Sequence, residues 1–296
     1  MGSQPVRSSI PVNAAAIGRL KVRTEGWSAY FALRSSCRCR GSAKDIRPLS
    51  TKADLKFVRS LHQKKVREAE GLFLVQGPKL VGELLASGWP VRSVHATAEM
   101  AEQLRLSDAD ILPAHEMDRL GTQESGNTVV AVVERPAQGP FAPLGADELV
   151  LALDGVADPG NLGTVLRIAD WFGIGRVLCD RASVEVFNPK CVQASMGAVF
   201  RVSVHYVDLA TVLERERAAG ATLYIASMEG RSAFDRPLRR PSILVLGSES
   251  HGVSAAVRAL RGETISVPRI GAAESLNVAM AASALCMEFT RQRTTP

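Results

Sequence analysis

Three stretches of this 296-residue chain set polar side chains among glycines, prolines and apolar residues at regular intervals. In "NLGTVLRIADWFGI" (161–174), Leu162, Val165, Leu166, Ala169 and Phe172 recur at helical spacing and Gly173 supplies a stop. Arg167 lies inside that run, one turn after Gly163 and beside the apolar stripe. A lone arginine there is ordinarily a surface residue in an i, i+4 pair. Its planar fork also suits an anionic oxygen pair. In "GSESHG" (247–252), Gly247 and Gly252 permit close backbone approach on either side of Glu249. Glu249 stands where a nucleophile elbow has its serine, and Ser248 or Ser250 with neighbouring His251 makes no hydrolase, since sequence neighbours rarely point at each other. "PRIGAAESLNVAMAASALCMEF" (268–289) puts Ser275 and Asn277 at a helix start, beside free N–H groups and the positive dipole end. Taken alone, Ser275 reads as a plain cap. The loop "DGVADPGN" lacks the glycine spacing of a dinucleotide fingerprint, and no P-loop occurs, so neither of those nucleotide sites is expected.

All three stretches follow predicted strands. "LVLAL", "RVLC", "RVSVHYV", "TLYIA", "SILVLG" and "TISVP" alternate with helices starting near Leu162, Pro189, Asp208, Ser254 and Ser275, with Asn188 and Asp208 as caps. The alternation predicts an α/β fold with a mostly parallel sheet covered on both faces, where ligands sit at the carboxyl ends of strands. Upstream, "LFLVQG", "VRSVHA" and "TVVAVVE" read as strands and "PKLVGELLASG" as a helix, a smaller unit ending in the Pro/Gly-rich linker "RPAQGPFAPLGA" (135–146). Before it, "KADLKFVRSLHQKKVREAEG" reads as one helix with Leu55, Val58 and Leu61 toward a core and Gly71 at its end. Lys52, Lys56, Arg59, Lys64, Lys65 and Arg67 surround that stripe. They fit either a solvated face or contact with phosphates.

Hydrophobic residues make up 46% and charged residues 22% of the chain, the balance of a globular protein, and no run of about eighteen apolar residues spans a membrane. The net charge of +6 is concentrated: residues 1–50 hold nine Lys/Arg against Glu25 and Asp45, so the other 246 residues hold 27 basic and 28 acidic side chains. That Ser-, Arg- and Ala-rich, acid-poor leader has the composition of a transit peptide, a bacterial extension or an overlong start, and it is set apart from the fold. Of five cysteines, only Cys37 and Cys39 are close together, with no partners for zinc, while Cys179, Cys191 and Cys286 lie in apolar segments as buried thiols. The folded part reads as reduced and intracellular, and no metal is expected.

Taken together, N-x-G-x-x-x-R (Asn161, Gly163, Arg167), L-G-x-E-x-x-G (Leu246, Gly247, Glu249, Gly252) and P-x-x-G-x-x-x-S-L-N-V-x-x-A (Pro268, Gly271, Ser275, Leu276, Asn277, Val278, Ala281) resemble, in order and spacing, the three motifs of the SpoU family. These are TrmH-like ribose 2′-O-methyltransferases of the SPOUT superfamily. The resemblance covers residues 149–293, and the segment from Phe57 to Leu85 is similar to the L30e-like substrate-binding domain that often precedes it. Gln76, where many relatives carry Glu, and Ala279, often Ser, depart from the pattern.

The leader, over 1–50, matches nothing in the family; the resemblance implies an L30e-like RNA-binding domain over 51–135 and, after the linker over 136–147, a SPOUT catalytic domain with a C-terminal trefoil knot over 148–296. It implies S-adenosylmethionine held at Leu246, Gly247, Glu249, Gly252, Ile265, Pro268, Ser275 and Leu276. It assigns catalysis to Asn161, Arg167, Glu249, Ser275 and Asn277, with Glu249 fixing the Arg167 fork. The substrate implied is structured rRNA or tRNA, contacted by Lys56, Arg59, Lys64, Lys65 and Arg67. The protein implied is a cytoplasmic homodimer pairing through Leu276, Met280, Ser283, Ala284 and Met287, or a mitochondrial or plastid one if the leader is a transit peptide. A non-catalytic RNA-binding protein is the alternative, and a base methyltransferase of the superfamily a further one.

Overall fold

The computed structural model describes residues 52–121, 127–249 and 251–294. The leader, with Cys37 and Cys39, lies outside them, as does Ser250. The first lobe runs α1 (Lys52–Ser60), α2 (Lys64–Glu70), β1 (Leu72–Gln76), α3 (Pro78–Ser87), β2 (Val91–Ala96), α4 (Ala98–Gln103), β3 (Asp110–Ile111), α5 (Ala114–Leu120) and β4 (Val129–Glu134). Its strands form a four-stranded sheet in the order β1-β4-β2-β3. All five residues of β1 and the first five of β4 are buried, because helices cover both faces of their antiparallel pair.

The predicted single helix is two. At residues 61–63 the bonding tightens to i→i+3 turns, and Gln63 is extended at φ −86° and ψ 128°. The apolar spacing runs on through the break, since Leu61 is still fully buried. What stabilises the break comes from further along: Arg67 Nη1 donates to the carbonyls of Leu61 and His62 at 3.0 and 2.8 Å. Arg67 is therefore 1% exposed and cannot meet solvent or RNA as the sequence suggested, whereas Lys56, Arg59, Lys64 and Lys65 are exposed.

The second lobe runs β5 (Leu149–Asp154), α6 (Pro159–Trp171), β6 (Arg176–Cys179), α7 (Pro189–Ser195), β7 (Ser203–Tyr206), α8 (Leu209–Ala218), β8 (Thr222–Ser232), β9 (Ser242–Gly247), α9 (Ala255–Ala259), β10 (Glu263–Ser266) and α10 (Val278–Thr294). Its six strands are all parallel, in the order β10-β8-β9-β5-β6-β7, with hydrophobic clusters on both faces. Central β5 is buried throughout, as a parallel strand between helical layers must be. Among the described residues no helix is long and apolar enough to cross a membrane.

Residues 135–148 form no helix or strand, yet they are packed rather than slack. Phe141 is buried with the Arg176 guanidinium 4.5 Å from its ring centroid, and Arg176 donates to the carbonyls of Ala142 and Pro143 at 2.7 and 3.3 Å. The two lobes also share one core, in which Phe73 meets Phe187 at 4.5 Å and Trp89 meets Phe200 at 5.5 Å.

Candidate active site

The loop after β5 is set by carboxylates that sequence reading passed over. Asp180 Oδ1 accepts from Gly155 N at 2.9 Å, and Ser183 Oγ from Val156 N at 3.1 Å. Asp158 then caps α6, accepting from Asn161 N at 2.8 Å. That bond, helped by Lys190 Nζ at 3.3 Å, holds the Asp158 carboxyl below its ordinary pKa against the smaller opposing effect of desolvation. The helix thus starts at Pro159, with Asn161 in its first turn, rather than near Leu162. The signal was the Asp-Pro pair, a cap followed by a first-turn proline.

The loop after β9 is a tight turn closed by paired bonds between Ser248 and Gly252, at 3.0 and 2.9 Å. A Cβ on Gly247 would lie 2.2 Å from the Gly252 carbonyl carbon, so only glycine permits this closure. Gly252, at φ +64°, turns the chain back. Glu249 is left at the tip. The glycines therefore let this turn close on itself, which presents the carboxylate.

After β10 the chain runs exposed from 268 to 277 and enters α10 at Val278, three residues later than predicted. Asn277, not Ser275, is the cap: its Oδ1 accepts from Ala279 N at 2.9 Å and Met280 N at 3.4 Å.

These three loops meet. Asn161 Nδ2 donates to Glu249 Oε1 at 3.0 Å, while Asn277 Nδ2 donates to the same oxygen at 2.6 Å and to Asn161 Oδ1 at 3.0 Å. Val278 N adds a longer bond to Glu249 Oε1 at 3.4 Å. One residue from each stretch is thus joined at the carboxyl end of the sheet, 88 and 116 residues of sequence apart from Asn161. Arg167 and Ser275 stand outside this cluster. Arg167 is exposed, about 9 Å further along α6 by helical rise. Its side chain makes no hydrogen bond or ion pair among the described residues. The expectation that Glu249 fixes its fork is corrected, because Glu249 engages the two asparagines instead. Gly163 also proves to be a packing residue: a Cβ there would lie 2.5 Å from the Cys191 carbonyl oxygen and 2.6 Å from Ala194 Cβ, so α6 and α7 touch through it.

Leu246 and Ile265 are buried at the ends of β9 and β10, whereas Gly252, Pro268, Ser275 and Leu276 are exposed around them. Between residues 268 and 276 the backbone makes a single hydrogen bond among the described residues, from Arg269 Nη1 to Ala273 O at 3.3 Å. Exposed backbone N–H and C=O groups of this kind suit the edge of a nucleoside base, with the carboxylate–amide cluster beside them. Among the described residues no group of His, Cys, Asp and Glu is placed to hold a metal.

An all-parallel α/β sheet with a polar cluster at its carboxyl ends defines a protein that handles a small ligand at that edge. Comparison with known proteins narrows the class. Residues 148–287 match the SpoU rRNA Methylase family and residues 52–136 the MRM3-like substrate binding domain. The 23S rRNA (uridine(2479)-2'-O)-methyltransferase of Streptomyces viridochromogenes is 31% identical over 250 residues, covering 79% of this chain and 87% of that one. The 23S rRNA (guanosine(2553)-2'-O)-methyltransferase of Bacillus subtilis is 30% identical, covering 77% and 92%. Among solved structures, the SpoU methyltransferase AviRb of S. viridochromogenes in complex with AdoMet superposes with a TM-score of 0.74 at 30% identity, over 83% of this chain and 99% of that one. The chain belongs to the SpoU rRNA methylase family.

Proposed function

We propose that this protein transfers the methyl group of S-adenosylmethionine to a ribose 2′-hydroxyl of a structured rRNA or tRNA. The observation that carries the reading is the Asn161–Glu249–Asn277 cluster, which joins the three family motifs at one point. S-adenosylmethionine, when bound, supplies a methyl group already activated on a sulfonium. The strand ends at Leu246, Gly247 and Ile265 and the loop through Pro268, Ser275 and Leu276 would hold it, with Glu249 and Gly252 in the facing turn. The chain's remaining task is to align the 2′-oxygen with the methyl group and ease removal of one proton. Asn161, locked by Glu249 and Asn277, keeps one amide N–H for the ribose, while Asn277 holds it in place. Arg167, unpaired among the described residues, offers its fork to a phosphate and to negative charge developing on the oxygen. A guanidinium that keeps its proton suits this task better than that of a base.

The first lobe acts in this reading as an L30e-like RNA-binding domain, gripping phosphates with Lys56, Arg59, Lys64 and Lys65. The leader, the two domains and the linker keep the bounds given from the sequence, and the second lobe carries the family's trefoil knot. Trp171, 84% exposed on α6, and Leu276, Met280 and Met287 on and before α10 offer an apolar face that a second copy of the chain would cover, with Ser283 and Ala284 half-buried beside it. The reaction needs no metal and takes place in the cytoplasm, or in an organelle if residues 1–50 are a targeting segment. Two measurements test the reading: calorimetry with S-adenosylmethionine in the presence of a chelator, and a map of ribose methylation in RNA from cells with and without the gene. Chelator-resistant binding and one lost methylation site are expected. An unchanged methylation map would overturn the proposal.

A further inference from the structure

Arg67 and Glu185 lie 118 residues apart in different lobes, yet their side chains are only 2% and 7% exposed. Arg67 Nε and Nη2 donate to Glu185 Oε2 at 3.2 and 2.6 Å, while Nη1 serves the two carbonyls left open between α1 and α2. Arg135 completes the group, its Nη1 3.4 Å from Glu185 Oε1 and its guanidinium 4.9 Å from the Phe187 ring centroid. Burying such a pair is a poor way to gain stability, since apolar residues of similar volume often do as well or better. What a fork on a carboxylate adds is a fixed direction.

The Glu185 segment is bonded in turn to the loop that sets the active-site cluster. Val186 N donates to the Tyr206 hydroxyl at 2.7 Å, and that hydroxyl donates to Val184 O at 2.6 Å. Val184 N donates to Val156 O at 3.0 Å, and Val156 N donates to Ser183 Oγ at 3.1 Å. Two residues on, Asp158 holds Asn161. The helices that carry the basic face are thus joined to the first residue of the cluster through packed, directed contacts.

We propose that Arg67 and Glu185 are positioning residues, a clamp that fixes the basic face of the first lobe relative to the Asn161–Glu249–Asn277 cluster so that a gripped RNA presents its ribose in register. The inference rests on the methyl-transfer reading. Other contacts keep the lobes attached without the clamp: Arg201 bridges Glu83 at 2.7 Å and Asp170 at 2.8 Å, and the aromatic residues of both lobes interlock. Loss of the clamp should therefore alter the setting of the lobes, not their attachment.

The test uses the full chain with Arg67→Met and Glu185→Leu combined, which replaces the pair by apolar side chains, and Arg67→Lys alone. A lysine cannot reach the carboxylate and both carbonyls with directed bonds, so it should show the same defect more mildly. For the double variant we expect a melting temperature lowered by several degrees, because the Leu61 and His62 carbonyls lose their donor, and S-adenosylmethionine affinity within twofold of the parent. Amide exchange at Gly155 and Val156, whose N–H groups are bonded to Asp180 and Ser183, should be about tenfold faster or more. The concentration of ribosomal RNA, taken from cells lacking the gene, that half-saturates single-turnover methyl transfer should rise about tenfold, with the plateau rate within about twofold and an unchanged salt slope. Unchanged exchange with unchanged RNA dependence would overturn the clamp, and so would a flattened salt slope, which would mean that phosphate contacts rather than the setting of the lobes were lost. If the double variant does not fold, the same measurements on Arg67→Lys decide. A parent protein that methylates no RNA sinks the functional reading alone, because the exchange result still judges the clamp.

Discussion

Asn277 has two tasks that different atoms perform: Oδ1 caps α10, and Nδ2 binds Glu249 and Asn161. Serine retains a capping oxygen but has no amide to donate. Asn277→Ser should therefore melt close to the parent and lose methyl transfer, whereas Asn277→Ala should lose methyl transfer and also about 1 kcal/mol of stability with the cap. Equal melting of the two variants would show that the cap contributes nothing. Arg167 poses a different question, because nothing among the described residues holds its fork. Arg167→Ala should keep S-adenosylmethionine affinity yet slow single-turnover methyl transfer by roughly a hundredfold or more, the scale of one lost preorganised donor. Arg167→Lys should fail almost as badly, since an ammonium does not reproduce two directed bonds. Near-normal rates in the alanine variant would make Arg167 an ordinary surface residue.

At the scale of elements, α6 presents its residues correctly only because it lies close against α7 at Gly163. In Gly163→Ala the new methyl would meet the Cys191 carbonyl and Ala194 Cβ, neither the far end of a flexible side chain. Overpacking of that kind costs about 1–3 kcal/mol. A drop of several degrees in melting temperature is expected, with methyl transfer impaired as α6 is displaced. Gly271→Ala is the control, since nothing lies within 4 Å of its missing Cβ and its stability should not change. Elements of this kind were legible where local chemistry decides them. β5 and β9 are apolar runs because helices cover both sides, and Asn188 and Asp208 announce α7 and α8 as caps. The break between α1 and α2 was not legible, because the apolar spacing continues through it and its stabilising donor, Arg67, is fixed by a carboxylate in the other lobe. β3 is two residues long, and nothing local marks it. In the site, the choice of Asn161, Glu249 and Asn277 followed from the resemblance to the SpoU motifs. Their mutual bonding did not, since spacing says nothing of which side chains touch.

For the whole molecule, the formal charge of +6 misleads about how RNA would be held, because residues 1–50 account for more than all of it. Across the remainder, acids and bases nearly cancel, so any grip on phosphates must come from local clustering rather than net charge. Lys56, Lys64 and Lys65 are exposed on the first two helices, and only Lys64 has an ion pair among the described residues, a long one to Glu68 at 3.7 Å with both side chains more than half exposed. A pair so exposed is worth little and is readily exchanged for a phosphate. Replacing the three lysines by glutamine should therefore weaken RNA binding and flatten the dependence of log affinity on log salt by about two to three units, at roughly 0.7 to 0.9 per lost phosphate contact. S-adenosylmethionine affinity and melting temperature should not move, since these side chains lie outside both the core and the cluster. Filter binding of ribosomal RNA across a salt series provides the measurement. An unchanged slope would mean that these helices are a solvated face and that RNA is gripped elsewhere, leaving the cluster's chemistry intact but removing the first lobe from substrate recognition.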